Sequence, residues 1–315
     1  MIGRLLAVSL IVAGSALFAD IIHVPGQYPT IQQGIDAARA GDIVLVAPGH
    51  YREEIVLKAS VIVRGAGDGR SIIDGQGDAG DVVRAIGNAI GPDTKLEGFT
   101  ITGAHNSGGM PGGGGVFCNS GARPDIGNCR IEGNDCGIAL WNGSTAYIHN
   151  CVVANNTYDG ISTGAGATVV NNTIHGNRIG FYDYSGYGPV FMNNIVTGST
   201  LFGVYGPSGG TPPQLTYNDV WGNATNYQQA TPGVGSISRD PMYRDTASGD
   251  YHLQPGSPCI DSGNPAAQYN DPDGSRNDMG AYGGPGATSN QPEITTLFPP
   301  QNALHVNPAT DVGAG

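Results

Sequence analysis

Acidic and aromatic side chains that recur at a regular interval are the residues of this 315-residue chain able to do chemistry. Asp159 and Asp183 fall in successive repeats, and two carboxyl groups roughly 5 to 9.5 Å apart can share the roles of glycosidic-bond hydrolysis. Phe117, Trp141, Tyr182, Tyr184 and Tyr205, with Asn119 and Ser162 between them, suit stacking on sugar rings and hydrogen bonding to their edges. Asp271 and Asp273, followed by Gly274 and then Asp278, have the alternating carboxylates of a short Ca²⁺-binding turn. Each pattern has a competing structural reading. Asp favours turns whatever its chemistry, and a plain Asp-Gly turn accounts for Asp271 to Asp278, since the closing Glu of an EF-hand is absent. Aromatic residues favour strands.

The elements that position these residues are set by internal repetition. Asn128-Cys129-Arg130-Ile131 aligns with Asn150-Cys151-Val152-Val153, Asn171-Asn172-Thr173-Ile174, Asn193-Asn194-Ile195-Val196 and Tyr217-Asn218-Asp219-Val220, at offsets of 22, 21, 22 and 24 residues. A second polar position recurs as Asn134, Asn156, Asn177, Ser199 and Asn223. A Gly then leads an apolar strand at Gly115, Gly137, Gly160, Gly180 and Gly203. Units this short cannot bury an apolar face alone, so they must stack on their neighbours. The fold expected is all-β, a right-handed single-stranded parallel β-helix. Period-two alternation turns Cys129, Cys151, Asn172, Asn194 and Asn218 inward as a ladder at a bend. In the Gly-led strands Val116, Ile138, Ile161, Phe181 and Val204 face inward, which leaves Phe117, Ala139, Ser162, Tyr182 and Tyr205 outward. Near the start, Thr30 before Ile31, Ile35 and Ala38 predicts a short capping helix over the first coil.

The stretch from Ile22 to Gly75 resembles the opening of the pectin-lyase-like parallel β-helix proteins, and Gly98 to Asn223 resembles their repeat unit. Asp240 to Gly283 is similar to the closing region of bacterial exported members. The resemblance implies the fold; its known members include lyases, hydrolases, esterases, epimerases and non-catalytic surface proteins. A lyase of this kind needs an Arg or Lys base with acidic Ca²⁺ ligands. Asp135, Asp159 and Asp183 are the acids on offer, whereas Arg84, Arg130 and Arg178 are poorly placed as the base.

Residues 1–19, with one Arg before the apolar run Leu5 to Val12 and small residues at Ala16 and Ala19, read as a secretory signal peptide. Residues 20–284 form the β-helix with its helical cap and closing region. Residues 285–315 read as a linker and the start of an incomplete immunoglobulin-like module, or as a disordered tail. No transmembrane segment is expected, because the apolar run falls short of the roughly 20 residues a span needs. A net charge of −12 disfavours nucleic acid and anionic membranes as partners. Five cysteines leave at least one unpaired, and Cys129 and Cys151, on one inward rung, are expected as buried thiols. The functional expectation is a secreted protein engaging extracellular polysaccharide, with a pectate-lyase-like degrading enzyme as its specific form. The alternative is a non-catalytic surface or adhesive module within a longer protein.

Overall fold

The computed structural model describes residues 19–77, 80–106 and 113–287. All but the last residue of the expected signal peptide, residues 107–112 of the expected groove-side loop and the expected linker or tail from 288 onward lie outside the described residues. The chain winds into a right-handed parallel β-solenoid with three walls. The first sheet holds nine strands, from Ile21–Val24 to Gln214–Thr216. The second holds eight, from Gly49–Tyr51 to Asp219–Trp221, and the third eight, from Ile55–Val56 to Thr225–Gln228. Neighbouring strands come from successive coils and stay in register, so Ile126 pairs with Ile148, then Val169, Phe191 and Leu215. Each strand contributes one or two apolar side chains to continuous inward columns, such as Ile131, Val153, Ile174, Val196 and Val220. Burying each is worth about 1.5–3 kcal/mol.

The first coil is closed by the helix Ile31–Ala37, whose Thr30 cap accepts from the Gln33 N–H. The Glu53 carboxylate from the adjoining coil accepts the Ile31 and Gln32 N–H groups at 2.9 and 3.0 Å. Ile31, Ile35 and Ala38 are buried over the core, as their spacing predicts. Gly34 lies so close to the core that an added Cβ would sit 2.9 Å from Val24 and 3.0 Å from Val44.

The bend from first to second sheet is built from one left-handed residue and one inward polar residue. Asn128, Asn150, Asn171, Asn193 and Tyr217 have φ of 52, 52, 54, 57 and 54°. Asn reaches this region at lower cost than most residues, which accounts for its recurrence. The residue after it joins the buried ladder. Asn172 donates to the Ile148 and Val170 carbonyls at 3.0 Å each, accepts the Cys151 N–H at 2.9 Å, and its own N–H donates to Asn194 Oδ1 at 2.9 Å. Cys129 and Cys151 occupy the same column as free thiols and donate to the corresponding carbonyls of Gly127 and His149.

A second amide ladder, Asn134, Asn156 and Asn177, lines the bend into the third sheet; Asn156 and Asn177 Oδ1 accept the previous member's N–H at 3.1 and 3.0 Å, and Asn134 Oδ1 accepts the Ala104 N–H at 3.0 Å. It explains the glycine column. A Cβ on Gly160 would lie 2.6 Å from the Gly180 carbonyl oxygen and 2.9 Å from Asn177 Nδ2.

Residues 240–287 fold back along the outside of the second sheet. They cover Val152 and Ala154 with Tyr251 and Ala281, and Ile195 with Cys259 and Met279. The left-handed asparagines hold this segment. Asn150 donates to the Ala281 and Gly283 carbonyls, Asn171 donates to those of Asp278 and Gly280, and Asn193 accepts the Asn264 N–H. The repeated Asn thus serves both the turn and the clasp. Asn171→Gly separates the two, since Gly keeps the left-handed turn but removes the side chain. Losing these bonds, each worth about 0.5–1.5 kcal/mol, should speed amide exchange over 277–284 by about ten- to a hundredfold while the first-coil amides keep wild-type protection. Unchanged exchange over 277–284 would show that the asparagine is there for the turn alone.

Candidate functional site

The outer surface of the third sheet carries the aromatic residues. Its central outward column runs Arg84, Phe117, Ala139, Ser162, Tyr182, Tyr205, one residue per coil. A parallel column two residues further along contains Asn119, Trp141, Gly164 and Tyr184. Alternation within each strand aims these side chains away from the core, because Val116, Ile138, Ile161, Phe181 and Val204 are fully buried.

The rings form a connected ribbon. Tyr182 and Tyr205 stack at 4.8 Å and 15°, Tyr182 and Tyr184 lie 5.8 Å apart, and Trp141 meets Tyr184 at 5.7 Å and 46°. Phe202 joins at 4.9 Å from Tyr205. Tyr184 lies across Gly164, where a Cβ would meet its hydroxyl end, and donates to the Leu140 carbonyl at 2.9 Å. Burial pushes its phenol up to about 12, so it remains a neutral donor. Beside the ribbon a cleft of about 550 Å³ is lined by Trp141, Asn142, Gly143, Gly164, Ala165, Tyr184 and Tyr187. Tyr187, 70% exposed, and Phe202 are members of this surface that the strand pattern did not single out. Tyr187 sits in a loop without periodicity, and Phe202 precedes the Gly that marks its strand. Phe117 lies three coils from the nearer stacked tyrosine, separated by Ala139 and Ser162. Asn119 accepts from Asn142 at 2.8 Å and from the Ser120 N–H, which ties it into its own turn.

Asp159 and Asp183 are not brought together. Asp159 pairs in register with Ile179, whereas Asp183 pairs with Thr163, four residues along the strand or about 13 Å. They also face opposite ways. Asp183 follows outward Tyr182, points inward and caps a turn by accepting the Ser185 and Gly186 N–H groups. The expected carboxylate pair is therefore corrected to a single group, Asp159. It is 3% exposed, and its Oδ2 has no hydrogen-bond partner. Burial pushes its carboxyl up to about 6 despite the opposing charge of Arg178. Ser162, on the same strand and 1% exposed, has an equally unpartnered Oγ.

At the expected Ca²⁺ turn the carboxylates serve as turn caps, the competing use that an Asp-Gly turn predicts. Asp271 accepts the Asp278 and Gly284 N–H groups, Asp273 accepts from Ser275, and Asp278 accepts the Asp261 N–H. At least one oxygen of each carboxylate thus caps a turn, and among the described residues no three His, Cys, Asp or Glu side chains converge to hold a metal ion.

A larger cleft, about 650 Å³, lies between the second sheet and the folded-back segment, with His175, Thr197, Trp221 and Tyr243 on its walls. The polar groups at its centre bond one another: His175 Nδ1 lies 2.9 Å from the Thr197 hydroxyl, which is 3.3 Å from Tyr243. The aromatic ribbon with Asp159 and Ser162 is the stronger site, because there buried polar atoms lack partners.

No curated protein matches the chain. Among solved structures, pectate lyase Pel9A superposes with a TM-score of 0.53 at 12% identity, covering 84% of this chain and 96% of that one. The catalytic domain of a GH87 alpha-1,3-glucanase, solved with tetrasaccharides, superposes with a TM-score of 0.50 at 15% identity over 66% of this chain. The match spans 39% of that glucanase chain. At these identities the likeness is one of fold. The family described as the right handed beta helix region matches residues 59–225, more than half of the sequence. With its three parallel sheets and in-register coils, the chain belongs to that right-handed β-helix family.

Proposed function

We propose that the third-sheet face binds an extended polysaccharide outside the cell. The observation that carries this reading is the ribbon Trp141–Tyr184–Tyr182–Tyr205, four linked rings on one outer wall beside an open cleft. Successive coils are about 4.8 Å apart, close to the length of one sugar residue, so rings on successive coils such as Tyr182 and Tyr205 match adjacent sugars of a chain laid parallel to the helix axis. The polysaccharide-active enzymes among the structural neighbours support the same reading, as does the signal-peptide pattern of residues 1–19. Among the described residues no helix is long and apolar enough to cross a membrane.

Trp141→Ala combined with Tyr182→Ala tests it. Each ring contributes about 1.5–3 kcal/mol when covered, so the double variant should lose polymer retention in affinity electrophoresis by at least about a hundredfold, with its melting temperature near that of wild type. Retention at the wild-type level would overturn the groove. A degrading enzyme is the more specific form of this reading, and Asp159, with its raised carboxyl, is the observation that favours it. Size-exclusion chromatography of the same polymers after incubation, with Ca²⁺ or a chelator, separates cleavage from binding. Polymers of unchanged length would leave a binding or adhesive module, as part of a larger surface protein.

A further inference from the structure

The third face also carries information about the charge of what it binds, and the following step rests on the binding role proposed above. Asp159 and Ser162 lie on one strand, Asp159–Thr163, three residues apart. Alternation breaks at Gly160, whose added Cβ would face the interior like Ile161, and this puts both on the outer side, as it does the equivalent Phe202 and Tyr205, whose rings meet. Asp159 Oδ2 and Ser162 Oγ are buried and receive no hydrogen bond. A buried acceptor without a donor costs about 1–3 kcal/mol, more when it is charged. Asp183 Oδ2, Ser185 Oγ, Ser199 Oγ and Tyr227 Oη are buried and unpartnered as well, but Asp159 and Ser162 are the two that share one outer strand beside the aromatic ribbon, which marks it as a place where donors arrive from outside. Tyr182 occupies the outward position directly after Ser162 in the column, and burial, with smaller contributions from Tyr205 and Asp159, disfavours its ionisation. Because both atoms are buried, a ligand reaches them only if a neighbouring side chain changes rotamer, and Tyr182, next in the column and partly exposed, is placed to do so.

The cations of this wall are few. The third-sheet strands carry one, Arg84, at the end of the column away from the tyrosines, with Asp81 on the coil segment just before it. Arg178 precedes the strand Ile179–Asp183 and acts on Asp159. By sequence, residues 107–112 and 288–315 contain no Lys or Arg. A polyuronate carries a carboxylate on every sugar and would meet the Asp159 carboxyl with too few cations to offset it. A neutral sugar presents hydroxyl donors to both acceptors and apolar ring faces to the tyrosines. We infer that the third face selects an uncharged polysaccharide, whose hydroxyl groups supply the hydrogen bonds that Asp159 and Ser162 lack.

The test is affinity electrophoresis of the full chain at pH 7.5, in low and high salt, against dextran, a soluble β-glucan, galactomannan, polygalacturonate and chitosan. The expected result is retention by at least one neutral polymer, little changed by salt and stronger than by either charged polymer. Asp159→Ala and Ser162→Ala should each weaken that retention about three- to tenfold. Asp159→Asn, which preserves shape, should weaken it as well, because a carboxylate acceptor bonds roughly twice as strongly as a neutral one. Preferential retention by polygalacturonate or chitosan overturns the inference while leaving the groove in place. So does release by Trp141→Ala with no effect of any Asp159 or Ser162 substitution. If no polymer is retained by the wild-type chain, the binding role falls, and the inference with it.

Discussion

Asn172→Ala is expected to lower stability by about 3–5 kcal/mol, the sum of a small cavity and several stranded backbone groups. The side chain sits at 0% exposure in the middle of the inward ladder. Removing it leaves the Cys151 N–H without its acceptor, and the Ile148 and Val170 carbonyls without this donor. It also removes the amide donor to Asn194 Oδ1, which then bonds the Asn172 N–H alone. The molecule itself supplies the comparison. Cys129 and Cys151 occupy equivalent positions and keep a weak donor toward the same kind of carbonyl while offering no oxygen acceptor. Asn172→Cys should therefore cost about 1–2 kcal/mol, mainly the unpaired Cys151 N–H. Asn172→Asp keeps the acceptor, loses both donors and buries a charge, so it should be at least as damaging as Ala at pH 7. Urea unfolding followed by circular dichroism reads the order directly. If Asn172→Ala unfolds at the same midpoint as Asn172→Cys, the amide ladder contributes no more than a space-filling column.

These columns were legible in the sequence because a solenoid writes its geometry as a period. Once Asn128, Asn150, Asn171 and Asn193 are aligned, the bend, the inward ladder and the outward face follow from the two-residue alternation of strands. The capping helix was legible for a related reason, since Thr30, Ile31, Ile35 and Ala38 follow helical spacing. Elements without a period were harder to place. The segment 240–287 contains one antiparallel pair and two short 3₁₀ turns, and its position along the second sheet depends on side chains more than a hundred residues distant in sequence, such as Asn171 bonding Asp278. Asp271, Asp273 and Asp278 show why a carboxylate pattern is a weak guide to metal binding. The same oxygens cap backbone N–H groups in turns, and spacing alone does not distinguish the two uses. Asp183 illustrates a matter of phase: next to outward Tyr182 it must face the interior, which removes it from the surface where Asp159 stands.

Asp219→Asn is expected to stabilise the chain at neutral pH, by up to about 3 kcal/mol, and to leave it unchanged near pH 3.5. Asp219 is fully buried under the folded-back segment, where Oδ1 accepts the Arg239 N–H and Oδ2 faces the Cys259 thiol at 3.2 Å. Burial pushes its carboxyl from 3.8 up to about 6. The folded state therefore holds this proton more tightly than the unfolded chain, and stability falls as pH rises from about 4 through about 6. About two pKa units at 1.36 kcal/mol each set the size of the loss, which is complete above pH 7. The amide cannot ionise, so the difference between variant and wild type should be absent below pH 4, grow across that window and level off above it. A difference that stays flat from pH 3.5 to 8 would mean that the buried carboxyl does not titrate as its surroundings require. Asp159 has the same raised carboxyl and should give the same stability curve when replaced by Asn. The two residues part company in their bonding. Both Asp219 oxygens are partnered inside the fold, so Asp219→Asn should bind polysaccharide as wild type does. Asp159 leaves Oδ2 unpartnered at the foot of the aromatic ribbon, so Asp159→Asn should gain stability and lose binding, as expected of a residue kept for a ligand at a cost to the fold.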